Sequence, residues 1–364
     1  MYASREIIIN IIEIPSGIIA DTFGRKRALI ASFIFYIFAF IFFYYSTQFW
    51  YLLLGFSFFG IGDAFRSGTH KAMIMDYLKS KDWSSQKVNY YGHTRACSQK
   101  GSALSAMFAG LIVFFGHSNI IFLISIIPYL LNIINIALYP AYLNKSSKAH
   151  NYDYMATIKS FYATIKNPKL LTLLNTSATH SAFIKAIKDY IQIVIIHIAI
   201  ALPLFVHFDD NKRDAIMIGV VYTIIFLLSS YASKKASTLL SLSKGANIPN
   251  ITLLMGLSFG LASGILIYFE QWYIAIIFFV GIYLIESLRK PILTAYIADN
   301  TQNEVLASVM SAQSQIKTLL TAALALSFGL LMDMYGIGIS LAVISGVLLA
   351  ISAVFIRFSK KEAS

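Results

Sequence analysis

Apolar stretches of about twenty residues, interrupted by few charges, recur from one end of the 364-residue chain to the other. A hydrocarbon layer about 30 Å thick takes about 20 residues of α-helix to cross, and within it each backbone N–H and C=O must be bonded inside the segment. Such runs allow helices and leave no soluble domain of useful size. Hydrophobic residues make up 57% and charged residues 13%, where a soluble domain has roughly 45–50% and 25%. The fold class is therefore all-α, a polytopic membrane protein. The net charge of +12 would suit nucleic acid if the basic residues were clustered. They are dispersed over short loops and helix ends, where orientation of the spans and contact with the lipid bilayer account for them. Cys97 is the single cysteine, which excludes an intrachain disulfide and a cysteine-based metal site. With no metal-spaced His cluster, Gly-rich phosphate loop or nucleophile motif in the sequence, no metal, cofactor or enzymatic activity is expected.

The most specific segment is 17–27, GIIADTFGRKR, which separates apolar residues ending at Ala20 from those resuming at Ala28. Arg25, Lys26 and Arg27 place this turn at the cytoplasmic face, since short Lys/Arg-rich loops stay inside. Gly17 permits close helix packing, Gly24 suits a tight reversal and Asp21 can accept hydrogen bonds. The order of Gly17, Ala20, Asp21, Gly24, Arg25 and Lys26 resembles the loop between the second and third helices of the major facilitator superfamily (MFS) of secondary transporters. Thr22 departs from that pattern, where a basic residue is usual. The resemblance implies a two-bundle helical fold of which about 11 of 12 transmembrane helices are present here. The first is expected to be missing through a late start codon or a truncation. It also implies that Asp76 pairs with Arg25 and Asp21 to lock one conformation. The bland alternative is an ordinary positive-inside turn.

Expected spans are 4–20, 28–46, 50–78, 101–116, 119–142, 170–206, 215–233, 248–269, 272–297, 311–332 and 337–358. Arg5 opens the first span with its charge cancelled by Glu6. Gly101, Ser105 and Ala109 form a small-residue seam suited to close helix contact. Residues 1–143 form an N-terminal bundle, 144–169 a cytoplasmic linker with an amphipathic segment, and 170–364 a C-terminal bundle ending inside. The stretch 170–206 is too long for one helix, and Lys185, Lys188 and Asp189 interrupt it. Topological parity makes it one broken helix, which is tolerated at membrane depth where it lines protein or a cavity.

A charge at membrane depth costs at least about 2.5–3.5 kcal/mol and faces a cavity or a partner. Asp63, Arg66 and His70, spaced by three and four, form one polar stripe on the helix 50–78. Lys185, Asp189 and Gln192 form a second, with snorkelling interfacial lysines as the alternative. A displacement of 223 residues carries Asp63 onto Glu286, Arg66 onto Arg289 and Asp76 onto Asp299. This is the internal repeat that paired transporter bundles should show, and it predicts that Arg66 and Arg289 face one central cavity. The alternative is a self-neutralising Asp63–Arg66 pair that fixes helix packing. The expected function is alternating-access transport of a small solute across the inner (plasma) membrane by a monomer. Asp63 or Glu286 would carry a coupling proton. A transport-inactive fragment, a scaffold or receptor, and a lipid-modifying enzyme are the competing classes.

Overall fold

The computed structural model describes residues 2–115, 119–140, 168–201, 210–242, 247–299 and 306–361, and every regular element among them is helical. In chain order α1 is Tyr2–Phe23, α2 Arg25–Tyr44, α3 Phe49–Ser80, α4 Lys87–Phe114, α5 Ile120–Ala137 and α6 Pro168–Ile187. They are followed by α7 Ile191–Ala201, α8 Asp210–Lys234, α9 Ala236–Leu242, α10 Ile248–Tyr268, α11 Trp272–Asp299 and α12 Leu306–Lys361. Gly336, at φ 77° and ψ 172°, breaks α12 into two helices beside the outer connection expected at 333–335. Among the described residues six helices, α12 counted once, are long and apolar enough to cross a membrane. The linker segment expected at 144–169 lies outside the described residues except for the first turn of α6.

The helices group into two compact units. The first comprises Met1–Gln86, His117–Tyr162 and Ala307–Leu319, and so holds α1, α2, α3, α5 and the start of α12. Small residues set its crossings. Ser16 Oγ donates to the carbonyl of Ala64 at 3.1 Å and Ser32 Oγ to that of Gly62 at 2.9 Å. A Cβ at Gly60 would stand 3.1 Å from the Arg5 carbonyl, so Arg5 lies level with the middle of α3 rather than at an outer edge. Tyr36 of α2 packs against Phe59 and Tyr129, with ring centroids 4.9 and 5.0 Å apart.

The second unit comprises Lys87–Gly116, Ala163–Leu306 and Leu320–Ser364. Within it α4 packs along α8, but not through Gly101, Ser105 and Ala109. A Cβ at Gly101 would meet nothing within 4 Å. The seam instead runs through Ala96, whose carbonyl accepts from Ser230 at 2.9 Å, and Ala103, whose carbonyl accepts from Thr223 at 3.3 Å. It ends at Gly110, where an added Cβ would stand 3.1 Å from Gly219 Cα. Helix α4 also starts at Lys87, well inside what reads as a basic loop, because Tyr91, Gly92 and Ala96 are buried.

The stretch from 168 to 201 is one interrupted helix. Residues Lys188–Tyr190 form a single 3₁₀ turn between α6 and α7. The Lys188 carbonyl accepts from the hydroxyls of Tyr283 at 2.6 Å and Tyr222 at 3.4 Å, so half-buried phenols bond a backbone group at the break. Beneath it Phe183, Ile187, Ile191, Val194 and Ile195 are almost fully buried and join Leu253, Leu257, Phe279 and Ile282 in the main core.

Candidate functional site

The repeat extends beyond three charges to the helix ends. The displacement that carries Asp63 onto Glu286 also carries Arg25, the first residue of α2, onto Ile248, the first of α10. It likewise carries Phe49, the first residue of α3, onto Trp272, the first of α11. The two acid–arginine pairs thus stand at the same distance in sequence from the starts of α3 and α11.

In the first unit the Asp63 carboxylate is covered from two neighbouring helices. Arg5 of α1 donates from Nη2 to Oδ2 in a salt bridge, and the Tyr36 hydroxyl of α2 donates to Oδ1. Arg66 is only 3.4 Å from Oδ1 through Nη2, and its side chain is 52% exposed against 15% for Asp63. Its guanidinium lies 5.6 Å from the Tyr36 ring centroid, while that of Arg5 lies 4.8 Å from the ring centroid of Phe59. The nearer cation to Asp63 is therefore Arg5, not Arg66. His70, one turn further along α3, is exposed. Glu13 of α1 accepts from Ser67 at 3.0 Å and Ser314 at 2.6 Å.

In the second unit Glu286 is 4% exposed and ringed by donors. His180 of α6 meets Oε2 through Nδ1 at 2.8 Å, Ser181 donates to Oε1 at 2.8 Å, and Lys290 Nζ is 3.2 Å from Oε1. His180 is fully buried, and among the described residues its Nε2 has no hydrogen-bond partner. Gly256 of α10 makes room for that ring: a Cβ there would lie 2.0 Å from Nε2. Arg289, 1% exposed, turns away from Glu286. Its Nη1 donates to the Pro249 carbonyl and Thr252 Oγ1, both at 2.7 Å, and its Nη2 to the Thr176 carbonyl. It ties α6, α10 and α11 together, so in this conformation its guanidinium is enclosed by protein rather than open to a chamber. Arg5, His180 and Ser181 were not distinguished in the sequence as site residues.

Of the stripe on the broken helix, Lys185 is half-buried, while Asp189 and Gln192 are exposed. Asp189 lies 4.0 Å from Lys188 Nζ. At the basic turn Gly24 adopts φ 100° and ψ 135° before α2, a conformation that favours glycine. Lys26 Nζ donates to the carbonyls of Ala137 at 2.5 Å and Tyr139 at 3.0 Å, so a cation caps the C-terminal end of α5. The side chains of Asp21, Asp76 and Asp299 lie outside the described residues, as does Gly17 beyond its place in α1. No group of three or more His, Cys, Asp or Glu that could hold a metal occurs among the described residues.

No curated protein matches the sequence. Solved structures match in fold over nearly the whole chain. A POT family transporter in complex with 5-aminolevulinic acid is 14% identical with a TM-score of 0.70, covering 99% of this chain and 86% of that one. The nucleoside transporter NupG, as its D323A mutant, is 11% identical with a TM-score of 0.72, covering 98% and 89%. The human organic anion transporter MFSD10 (TETRAN) is 13% identical with a TM-score of 0.59, covering 97% and 82%. A sequence model of one family matches residues 3–320, the greater part of the chain and all of both acid–arginine pairs. This multi-pass membrane protein, with its paired helices α3 and α11, belongs to the Major Facilitator Superfamily.

Proposed function

We propose that the protein moves a small solute across the inner (plasma) membrane by alternating access, coupled to protons. Two bundles, residues 1–143 and 170–364 joined by 144–169, rock about a midplane site. The observation that carries this is the repeated acid–arginine pair. Ionised groups at membrane depth are costly, and repeating them at the same position along α3 and α11 serves a two-sided site better than it serves helix packing alone. Asp63 and Glu286 are the candidate proton carriers. Arg66 and His70 form the solute wall on α3, and Lys185, Asp189 and Gln192 the wall on the broken helix. Asp21, Arg25 and Asp76, with Gly17, Gly24 and Lys26, form the conformational lock. The C-terminus is cytoplasmic and the working unit is a monomer. The family's transport role and the small molecules named for the solved relatives support a small-molecule solute.

The test is a solute-library screen for uptake and efflux in proteoliposomes carrying the purified chain under an imposed pH gradient. At least one solute should move, the gradient should accelerate it, and Glu286→Gln should abolish that acceleration. A correctly folded protein that moves nothing in either membrane orientation would refute transport and favour a scaffold or an inactive form. Movement indifferent to the gradient would refute proton coupling alone.

A further inference from the structure

The open part of the polar stripe on α3 is basic. Between Gly55 and Tyr77 the exposed side chains among those described are Arg66 and His70, whereas the apolar ones are buried or half-buried. A surface turned to lipid shows the opposite arrangement, so this strip is a wall reached by water. The acid of the stripe does not close off its arginine: Asp63 already receives Arg5 and the Tyr36 hydroxyl, and Arg66 reaches it only at 3.4 Å. Glu13 is engaged by two serine hydroxyls, and Glu6 is buried at 4% exposure.

The repeat sharpens the contrast. Arg289 spends its donors on the Pro249 carbonyl and Thr252, but the position of α2 that matches Thr252 is Leu29, which offers no side-chain acceptor. Arg66 thus keeps a planar, permanently charged and half-exposed guanidinium over the Tyr36 ring, 5.6 Å from its centroid. A guanidinium so placed matches the two oxygens of a carboxylate or phosphate with parallel N–H···O bonds.

We propose that Arg66 anchors an oxyanion of the solute, so that the solute is an organic anion carrying a carboxylate or phosphate ester. This rests on the α3 stripe being the solute wall. Amines are disfavoured by the exposed guanidinium of Arg66.

The experiment is thermal unfolding of the full chain in detergent with matched probes: benzoate against benzamide, glutarate against glutaramide, and glycerol 3-phosphate against glycerol. At least one acid should raise the unfolding temperature where its uncharged counterpart does not. Arg66→Gln should weaken its apparent affinity by about 10–100-fold, and Arg66→Lys should restore part of it. The inference is overturned if no acid stabilises, if an amide or glycerol does so equally, or if Arg66→Gln binds as the unmodified protein does. A shift reproduced by phosphatidylglycerol would assign Arg66 to lipid and overturn it too. Should Arg66→Gln fail to fold, the acid-against-amide comparison on the unmodified chain decides. Binding without any transport would refute the proposed function and leave this inference standing, whereas transport of neutral or cationic solutes only would do the reverse.

Discussion

Replacing Gly256 by alanine probes the buried end of the second-unit cluster. The added Cβ would lie 2.0 Å from Nε2 and 2.4 Å from Cδ2 of His180, well inside the ~3.5–4.0 Å of a normal contact. The ring would have to retreat by more than about 1 Å. It has nowhere to pivot, because it is fully buried and Nδ1 is held at 2.8 Å by Glu286. A hydrogen bond to a charged group contributes about 1.5–3 kcal/mol, and overpacking a filled site costs about 1–3 kcal/mol. Together they put Gly256→Ala at about 2.5–6 kcal/mol of destabilisation. In a His180→Ala background the same methyl enters vacated space and should be neutral or gain up to about 1 kcal/mol from helix propensity. Equilibrium unfolding of the four proteins in mixed micelles closes the double-mutant cycle. The coupling should be at least about 2.5 kcal/mol, at or above the top of the roughly 0.5–3 kcal/mol range seen for residues in contact. Additivity within about 0.5 kcal/mol, or a Gly256→Ala protein as stable as the original, would show that the imidazole is not wedged between Gly256 and Glu286.

Four further substitutions bear on how the site is held. Gly24→Ala places a side chain at φ 100° and should cost about 1–3 kcal/mol, seen as a lower unfolding temperature with unchanged helix content by circular dichroism. Tyr283→Phe deprives the Lys188 carbonyl of its 2.6 Å donor and leaves the 3.4 Å contact from Tyr222. The expected loss is about 1–3 kcal/mol, with faster hydrogen exchange on either side of residues 188–190. Arg289→Met removes every bond from the guanidinium to Pro249, Thr252 and Thr176 and should lower stability by about 3–5 kcal/mol. Arg66→Met, on a half-exposed side chain, should change it by less than about 1 kcal/mol.

The all-helical membrane class followed from the apolar runs, and the family from the basic turn, because both depend on local pattern. The break near Lys188 was also readable, since Lys185, Lys188 and Asp189 interrupt a stretch too long for one crossing. The partners of the acids were not. Arg5, a few residues into α1, reads as an interfacial charge balanced by Glu6. Only the packing of α1 on α3, with Arg5 beside Gly60, sets it level with Asp63. His180 sits among Thr176, Ser177, Thr179 and Ser181, a polar run with no spacing signature. What makes it a partner of Glu286 is the gap left by Gly256 on another helix. The seam on α4 failed for a related reason. Small residues recur both at 101, 105 and 109 and at 96, 103 and 110, and the hydroxyls of Ser230 and Thr223 together with Gly219 on α8 select the second set.

The matched pairs on α3 and α11 show how one repeat can serve two purposes. Neither acid takes its shortest contacts from the arginine three residues away: Asp63 takes Arg5 and Tyr36 ahead of Arg66 at 3.4 Å, while Glu286 takes His180, Ser181 and Lys290. Arg289 is thereby released from neutralising its own helix and Arg66 is held only loosely, and the direction of each is set by what the adjacent helix presents. At the start of α10 the Pro249 carbonyl and the Thr252 hydroxyl, which itself donates to the Ile248 carbonyl at 2.7 Å, draw Arg289 inward. At the matching positions of α2 stand Lys26 and Leu29. Lys26 is committed to the end of α5, and Leu29 is 1% exposed and apolar, so neither side chain accepts from Arg66. The arrangement therefore gives one unit a fixed internal brace and the other an open cation. Exchanging these roles would require an acceptor at position 29 together with its loss at position 252.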